Sequence, residues 1–181
     1  GDGEVLVFFS AYMPPFHIFV WAGLYALFGN TAAALAAMLL INLLGSLAII
    51  WLTARLALAL LGSRPAALAA AAIVALYPTF AFSVATYHAV NIYIPLFLAA
   101  FLIALRLAEK PDIRMAALLG LIGGITALYR TEYVLFMAVL YVSAWLVNRN
   151  WRLFAVSVLA SFLVVAPWTA RNYAVFDRLI P

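Results

Sequence analysis

In ALYRTEYVLF the chain sets Arg130 and Glu132 two residues apart in its tightest connection, and in VVAPWTARNYAVFDRLIP it sets Arg171 about one helical turn beyond Pro167. An arginine close to a membrane surface presents a planar fork of donors that fits a phosphate or diphosphate. A neighbouring carboxylate can orient that fork or accept a hydrogen bond from a sugar hydroxyl. Each has a plainer reading: Arg130 and Glu132 as a solvated hairpin that stops two helices, Arg171 as an interface anchor. TYHAVNIYIP adds His88 and Asn91, three apart and on one face if that stretch is helical, while His17 stands far upstream. Two histidines suit a metal or a general base, but there is no cysteine and no HxxxH-type pair, so the spacing carries no metal signature. Asp2 and Glu4, near the start of the sequence, are further carboxylates.

Composition decides what must position these groups. A chain of 181 residues that is 70% hydrophobic and 9% charged, with a mean hydropathy of +1.17, has too little polar surface to coat a water-soluble globule. Apolar runs recur along the whole length, which excludes a signal peptide or single anchor and leaves no soluble domain. The runs do not alternate polar and apolar residues, so a membrane barrel is excluded too. The expected fold is an all-α polytopic transmembrane bundle, with six spans at about 31–54, 65–86, 90–107, 113–129, 132–147 and 152–168. The fourth and fifth of these are short. Pro78 and Pro95 are positions where helices could break.

The stretch PPFHIFVWAGLYALFGN falls short of a span, enters through Pro14 and Pro15, and carries the interface-loving Trp21 and Tyr25. It reads as an interfacial or re-entrant helix over about 15–29, with a short seventh span as the alternative. Residues 1–30 then form an outer loop, 31–168 the bundle and 169–181 the start of an outer segment.

Arg55, Arg64, Arg106, Lys110, Arg114, Arg149 and Arg152 fall in alternate connections, seven of the ten basic residues, and the positive-inside rule makes that side cytoplasmic. Arg130, Arg171 and Arg178 fall on the other. Gly120, Gly123 and Gly124 with Ala127 in LLGLIGGITAL predict close helix packing, as do the alanine-rich runs. No chain of buried charges of the kind a proton pump carries is present.

GDG, PPFHIFVWAGLYALFGN, TARLALALLGSRPAAL, ALYPTF, GLIGGITALYRTE and PWTARNY, in that order, resemble the membrane half of the GT-C superfamily, polytopic glycosyltransferases such as the aminoarabinose transferases and protein O-mannosyltransferases. The resemblance covers essentially the whole chain, and PWTARNY is its most specific part. It implies transfer of a sugar, with inversion, from a polyprenyl-phosphate donor to a lipid, glycan or protein acceptor outside the cytoplasm. It also implies a location in the bacterial inner membrane, surrounded by membrane lipids, with no cofactor required and no nucleic acid partner. By that resemblance Arg130 and Arg171 hold the donor phosphate, and Glu132, His88 and Asn91 orient it or its sugar. Asn91 stands where relatives often have an acidic residue. Asp2 and Glu4 are candidates for the catalytic base, although the resemblance places that base upstream of Gly1 and makes the chain a fragment. The competing expectation is a non-enzymatic membrane protein, either a lipid or glycolipid transporter or a scaffold subunit.

Overall fold

A computed structural model describes residues 15–177. Asp2, Glu4 and Arg178 lie outside the described residues. Every regular element among the described residues is a helix: α1 Phe16–Phe28, α2 Ala32–Leu61, α3 Arg64–Leu76, α4 Pro78–Ala85, α5 Val90–Glu109, α6 Ile113–Tyr129, α7 Tyr133–Asn148 and α8 Trp151–Phe176.

Local chemistry sets the boundaries. Gly62 ends α2 in the left-handed region at φ 64°, donating its N–H to the Leu58 carbonyl. Ser63 then caps α3 by accepting from the Ala66 N–H, with Pro65 in the first turn. Asp112 takes the N–H groups of Arg114 and Met115 to start α6, and Asn150 takes that of Arg152 to start α8. Pro78 holds Tyr77 extended, at ψ 115°, which ends α3 and turns α4 away by 50°.

The expected span over 65–86 is therefore a broken pair. Pro95 does not break α5, and Pro167 lies inside α8 without ending it. Two helices also outrun their expected ends: α2 continues to Leu61 and α8 to Phe176, so residues 169–176 are a continuation of the last helix. In α2 the extension follows from good helix formers, Arg55, Leu and Ala, whereas in α8 it runs through the weaker formers Thr169, Asn172 and Tyr173.

Among the described residues, α2, α5 and α8 are long and apolar enough to cross a membrane, and the bent α3–α4 pair makes a fourth candidate. At 17 and 16 residues, α6 and α7 fall below the ~20 that a straight crossing needs. Helix α6 is nonetheless the most enclosed, with Ala116, Leu119, Gly120, Gly123, Gly124 and Thr126 all buried. Its glycines do what small residues were expected to do. Gly120 lies on the Ser157 carbonyl of α8, Gly123 on the Tyr141 hydroxyl of α7, and Gly124 on Val164 of α8. Ser157 and Ser161 of α8 donate to the Ala116 and Gly120 carbonyls of α6 at 2.9 and 2.8 Å.

A second seam joins α2, α4 and α5. Gly45 lets α2 lie against the Asn91 backbone. Next to it the Asn91 amide donates to Asn42 Oδ1 at 3.2 Å and accepts from Ser83 Oγ at 3.1 Å, all three residues being buried. We expect Asn91→Ala to lower stability by about 1–3 kcal/mol, because it leaves Asn42 Oδ1 without its partner, while Ser83 keeps its 2.7 Å bond to the Phe80 carbonyl. Thermal unfolding in detergent checks this, and Asn42→Ala/Asn91→Ala should lose less than the two single losses combined.

Candidate functional site

Ring contacts show which helix ends meet. Tyr129 at the end of α6 lies 6.3 Å from Tyr93 at the start of α5, which lies 5.4 Å from Tyr133 at the start of α7. Helix α1 packs across this aromatic end. Its Phe16 sits 4.9 Å from Tyr129, Phe19 6.0 Å from Trp168 of α8, and Trp21 5.6 Å from Tyr87 of the α4–α5 turn. At 13 residues α1 is too short to cross ~30 Å of hydrocarbon. It straps the ends of its neighbours together. At the opposite end Asn148 of α7 donates to the Leu107 carbonyl of α5 at 3.2 Å, and Arg55 and Arg106 share a cleft.

Arg130 and Arg171 both belong to the aromatic end. Arg130 terminates α6 and pairs with Glu132 through two N–H···O contacts of 3.3 Å, with side-chain exposures of 48% and 66%. Its guanidinium also lies 6.0 Å over the Tyr93 ring. The Glu132 carboxyl titrates below its ordinary range, first through a hydrogen bond from its own backbone N–H and then through Arg130. So exposed a pair adds little to stability and is open to a ligand.

Arg171 lies on α8, one turn after Trp168, and stacks on that indole at 4.9 Å while donating to Asn172 Oδ1 at 2.9 Å. It borders a cavity of about 420 Å³ whose other walls are Phe19, Leu128, Val164, Pro167 and Trp168. A larger cavity between α7 and α8, about 620 Å³, is walled by apolar residues alone, Trp145, Trp151 and Phe154 among them, and offers no chemistry.

The structure separates His88 from Asn91. His88 precedes α5 and accepts the Val90 N–H on Nδ1 at 3.3 Å. Asn91 turns into the bundle at 0% exposure with its amide engaged at both ends, so this arrangement uses it for packing and keeps it out of the exposed cluster. His88 instead lies close enough to His17 of α1 for the two imidazoles to repel when charged, a neighbour that sequence spacing did not suggest.

His17 accepts the Trp21 N–H on Nε2 at 3.3 Å, and its Nδ1 and the Tyr129 hydroxyl are buried without a hydrogen-bond partner among the described residues. Burial, then repulsion from His88, holds the His17 imidazole below its ordinary pKa. The Tyr87 backbone opposes this but does not meet hydrogen-bond geometry at the free nitrogen. The docked form therefore favours neutral His17, so docking is strongest above the undocked value near 6.5 and weakens as pH falls through the docked value.

The Tyr129 ring lies 6.3 Å from the His17 ring. Amide protection over residues 16–28, corrected for the intrinsic pH dependence of exchange, should fall as pH drops from about 7.5 to 5.5, and His17→Phe should flatten the fall.

Among the described residues no three His, Asp or Glu side chains converge as a metal site. The sequence pointed to the arginines but not to the rings that seat them, Tyr93, Tyr129 and Trp168. Their one signal was a recurrence of Tyr and Trp at the ends of apolar runs. Compared with known proteins, the chain matches no family model, no curated protein and no solved structure.

Proposed function

We propose that the chain is a membrane glycosyltransferase, or its membrane module, of the GT-C kind. It takes a sugar from a polyprenyl-phosphate donor and passes it with inversion to a lipid, glycan or protein acceptor at the outer face of a bacterial inner membrane. In this reading α2, the α3–α4 pair, α5, α6, α7 and α8 are six crossings and α1 lies in the outer interface. The end that carries Arg55, Arg106 and Lys110 faces the cytoplasm.

The observation that carries the reading is the Arg171 cavity beneath α1, a greasy cleft with a guanidinium at its rim, at the same end as Arg130. Such a cleft suits a ligand that is hydrocarbon at one end and phosphate at the other. The acceptor oxygen bonds to the anomeric carbon as the bond from that carbon to the donor phosphate breaks, and charge grows on the departing phosphate. Fixed guanidinium groups stabilise that charge. Glu132 orients Arg130, and Asp2 and Glu4 stay candidates for the base that removes the acceptor proton.

The test is transfer of labelled sugar from a polyprenyl-phosphate donor by the full-length protein in envelope membranes. Arg130→Ala and Arg171→Ala should each weaken donor binding by about tenfold or more. Transfer to no envelope acceptor by a preparation that binds donor would refute the enzyme.

The 50° break between α3 and α4 favours a second reading, a lipid or glycolipid transporter, since broken helices line transport paths. Movement of labelled donor lipid between the leaflets of protein-loaded vesicles, without sugar transfer, would select it.

A further inference from the structure

At the end of the bundle opposite α1, Arg55 of α2 and Arg106 of α5 line one cleft of about 230 Å³, together with Ala59, Leu102, Leu105 and Glu109. Helices α2 and α5 run in the same direction, locked together where Gly45 meets the Asn91 backbone and the two asparagines bond. The cleft opens along the later turns of that pair. A helical side chain leans toward the N-terminus of its own helix, so Arg106 reaches back from the last turn of α5 toward Leu102. At ~1.5 Å per residue, the 30 residues of α2 outrun the hydrocarbon and its last turns reach head-group level.

Among the described residues neither arginine forms an ion pair. The one recorded partner of Arg55 is the Trp51 ring, 5.9 Å away, which leaves the guanidinium donors unused. Glu109 is the only carboxylate on the cleft and lies beyond ion-pairing distance of both. Two guanidinium groups from different helices therefore converge over leucine walls, with one carboxylate at the side.

We propose that this cleft is a second anion site, distinct from the donor site, that takes the phosphate of an acidic membrane lipid. The forks of Arg55 and Arg106 hold the phosphate oxygens, Leu102 and Leu105 meet the start of the acyl chains, and Glu109 weakens binding by facing the anion. By holding α2 and α5 together at the end away from the Asn42–Asn91 bond, the lipid steadies the seam on which α4 also rests.

Native mass spectrometry of the full chain, with phosphatidylglycerol or phosphatidylcholine added, tests the site. Phosphatidylglycerol should be retained at least about tenfold more strongly than by Arg55→Gln/Arg106→Gln. Arg149→Gln/Arg152→Gln, which removes the same charge from the α7–α8 connection, should bind within about twofold of the original. Inorganic phosphate is the second arm. Lipid retention without a phosphate-induced rise in unfolding temperature identifies the head group, and a rise with phosphate alone, absent in the Arg55/Arg106 variant, identifies the free anion. Wild-type affinity for both probes in the Arg55/Arg106 variant overturns the site, as does an equal loss in the Arg149/Arg152 variant. Glu109→Gln keeps both arginines and provides a check that does not depend on the double variant folding: its phosphatidylglycerol retention should rise, and a fall or no change overturns the site.

Discussion

Gly120→Ala is expected to cost the protein its fold. A methyl at that position would overlap the Ser157 carbonyl oxygen and stand 2.7 Å from the Ala160 side chain. The first obstacle is backbone, which cannot rotate aside, so α6 and α8 would have to separate. Separation also stretches the Ser157 and Ser161 bonds to the α6 carbonyls and the Tyr141–Ser161 hydroxyl contact, because all share the seam. Overpacking a well-filled core costs about 1–3 kcal/mol when side chains can adjust, and a backbone collision belongs at or above the top of that range. Gly23→Ala is the matched control, since nothing lies within 4 Å of the added methyl. There a mid-helix glycine should give way to alanine with a gain of about 1 kcal/mol in α1. Unfolding midpoints in detergent and the monodisperse fraction after purification measure both. A Gly120→Ala protein as stable as the original would mean that α6 and α8 are not in contact at this point.

That the seam exists was legible in GLIGG, because small residues in a membrane helix have few uses other than close approach. The helices were legible for a similar reason: an apolar run between charges leaves the backbone in lipid little choice but to satisfy its own hydrogen bonds. Ends were harder to read. TARLALALL extends α2 and TARNYAVF extends α8 although both contain an arginine, since a charge ends an apolar run without ending a helix.

Proline gave opposite outcomes at similar-looking sites. Pro78 follows a residue held extended and splits two helices, whereas Pro95 sits one and a half turns into α5, where packing on α2 and α7 holds the helix together. Least legible were contacts between residues far apart in sequence. His88 and Asn91 looked like partners by spacing, yet one meets α1 and the other α2. Spacing constrains neighbours only within a helix, and the turn ahead of α5 falls between the two.

Under the proposed function, removing both Arg130 and Arg171 is the change expected to affect donor binding most, and its size discriminates between two arrangements of the site. Each guanidinium lost from a phosphate should cost about 1.5–3 kcal/mol, or roughly 10- to 150-fold in affinity. If Arg130 and Arg171 grip one phosphate group, the double variant should lose clearly less than the product of the single losses, because the first loss already lets the phosphate swing away. If they hold separate parts of the donor on either side of α1, the losses should multiply, to roughly 10²- to 10⁴-fold.

The ring contacts favour the second outcome. Arg130 rests on Tyr93 and Arg171 on Trp168, and the first turn of α1 lies between these platforms, its Phe16 against Tyr129 and its Phe19 against Trp168. Arg171→Lys should recover little, because a compact ammonium keeps the charge but neither the fork nor the stacking on Trp168. Isothermal titration with a polyprenyl phosphate measures all five affinities, of the original, the two alanine singles, the double and Arg171→Lys. Glu132→Ala alongside Arg130→Ala separates loss of the arginine from exposure of its former partner. Wild-type affinity in the double variant would take the donor site away from this end of the bundle, while leaving the helix packing as described.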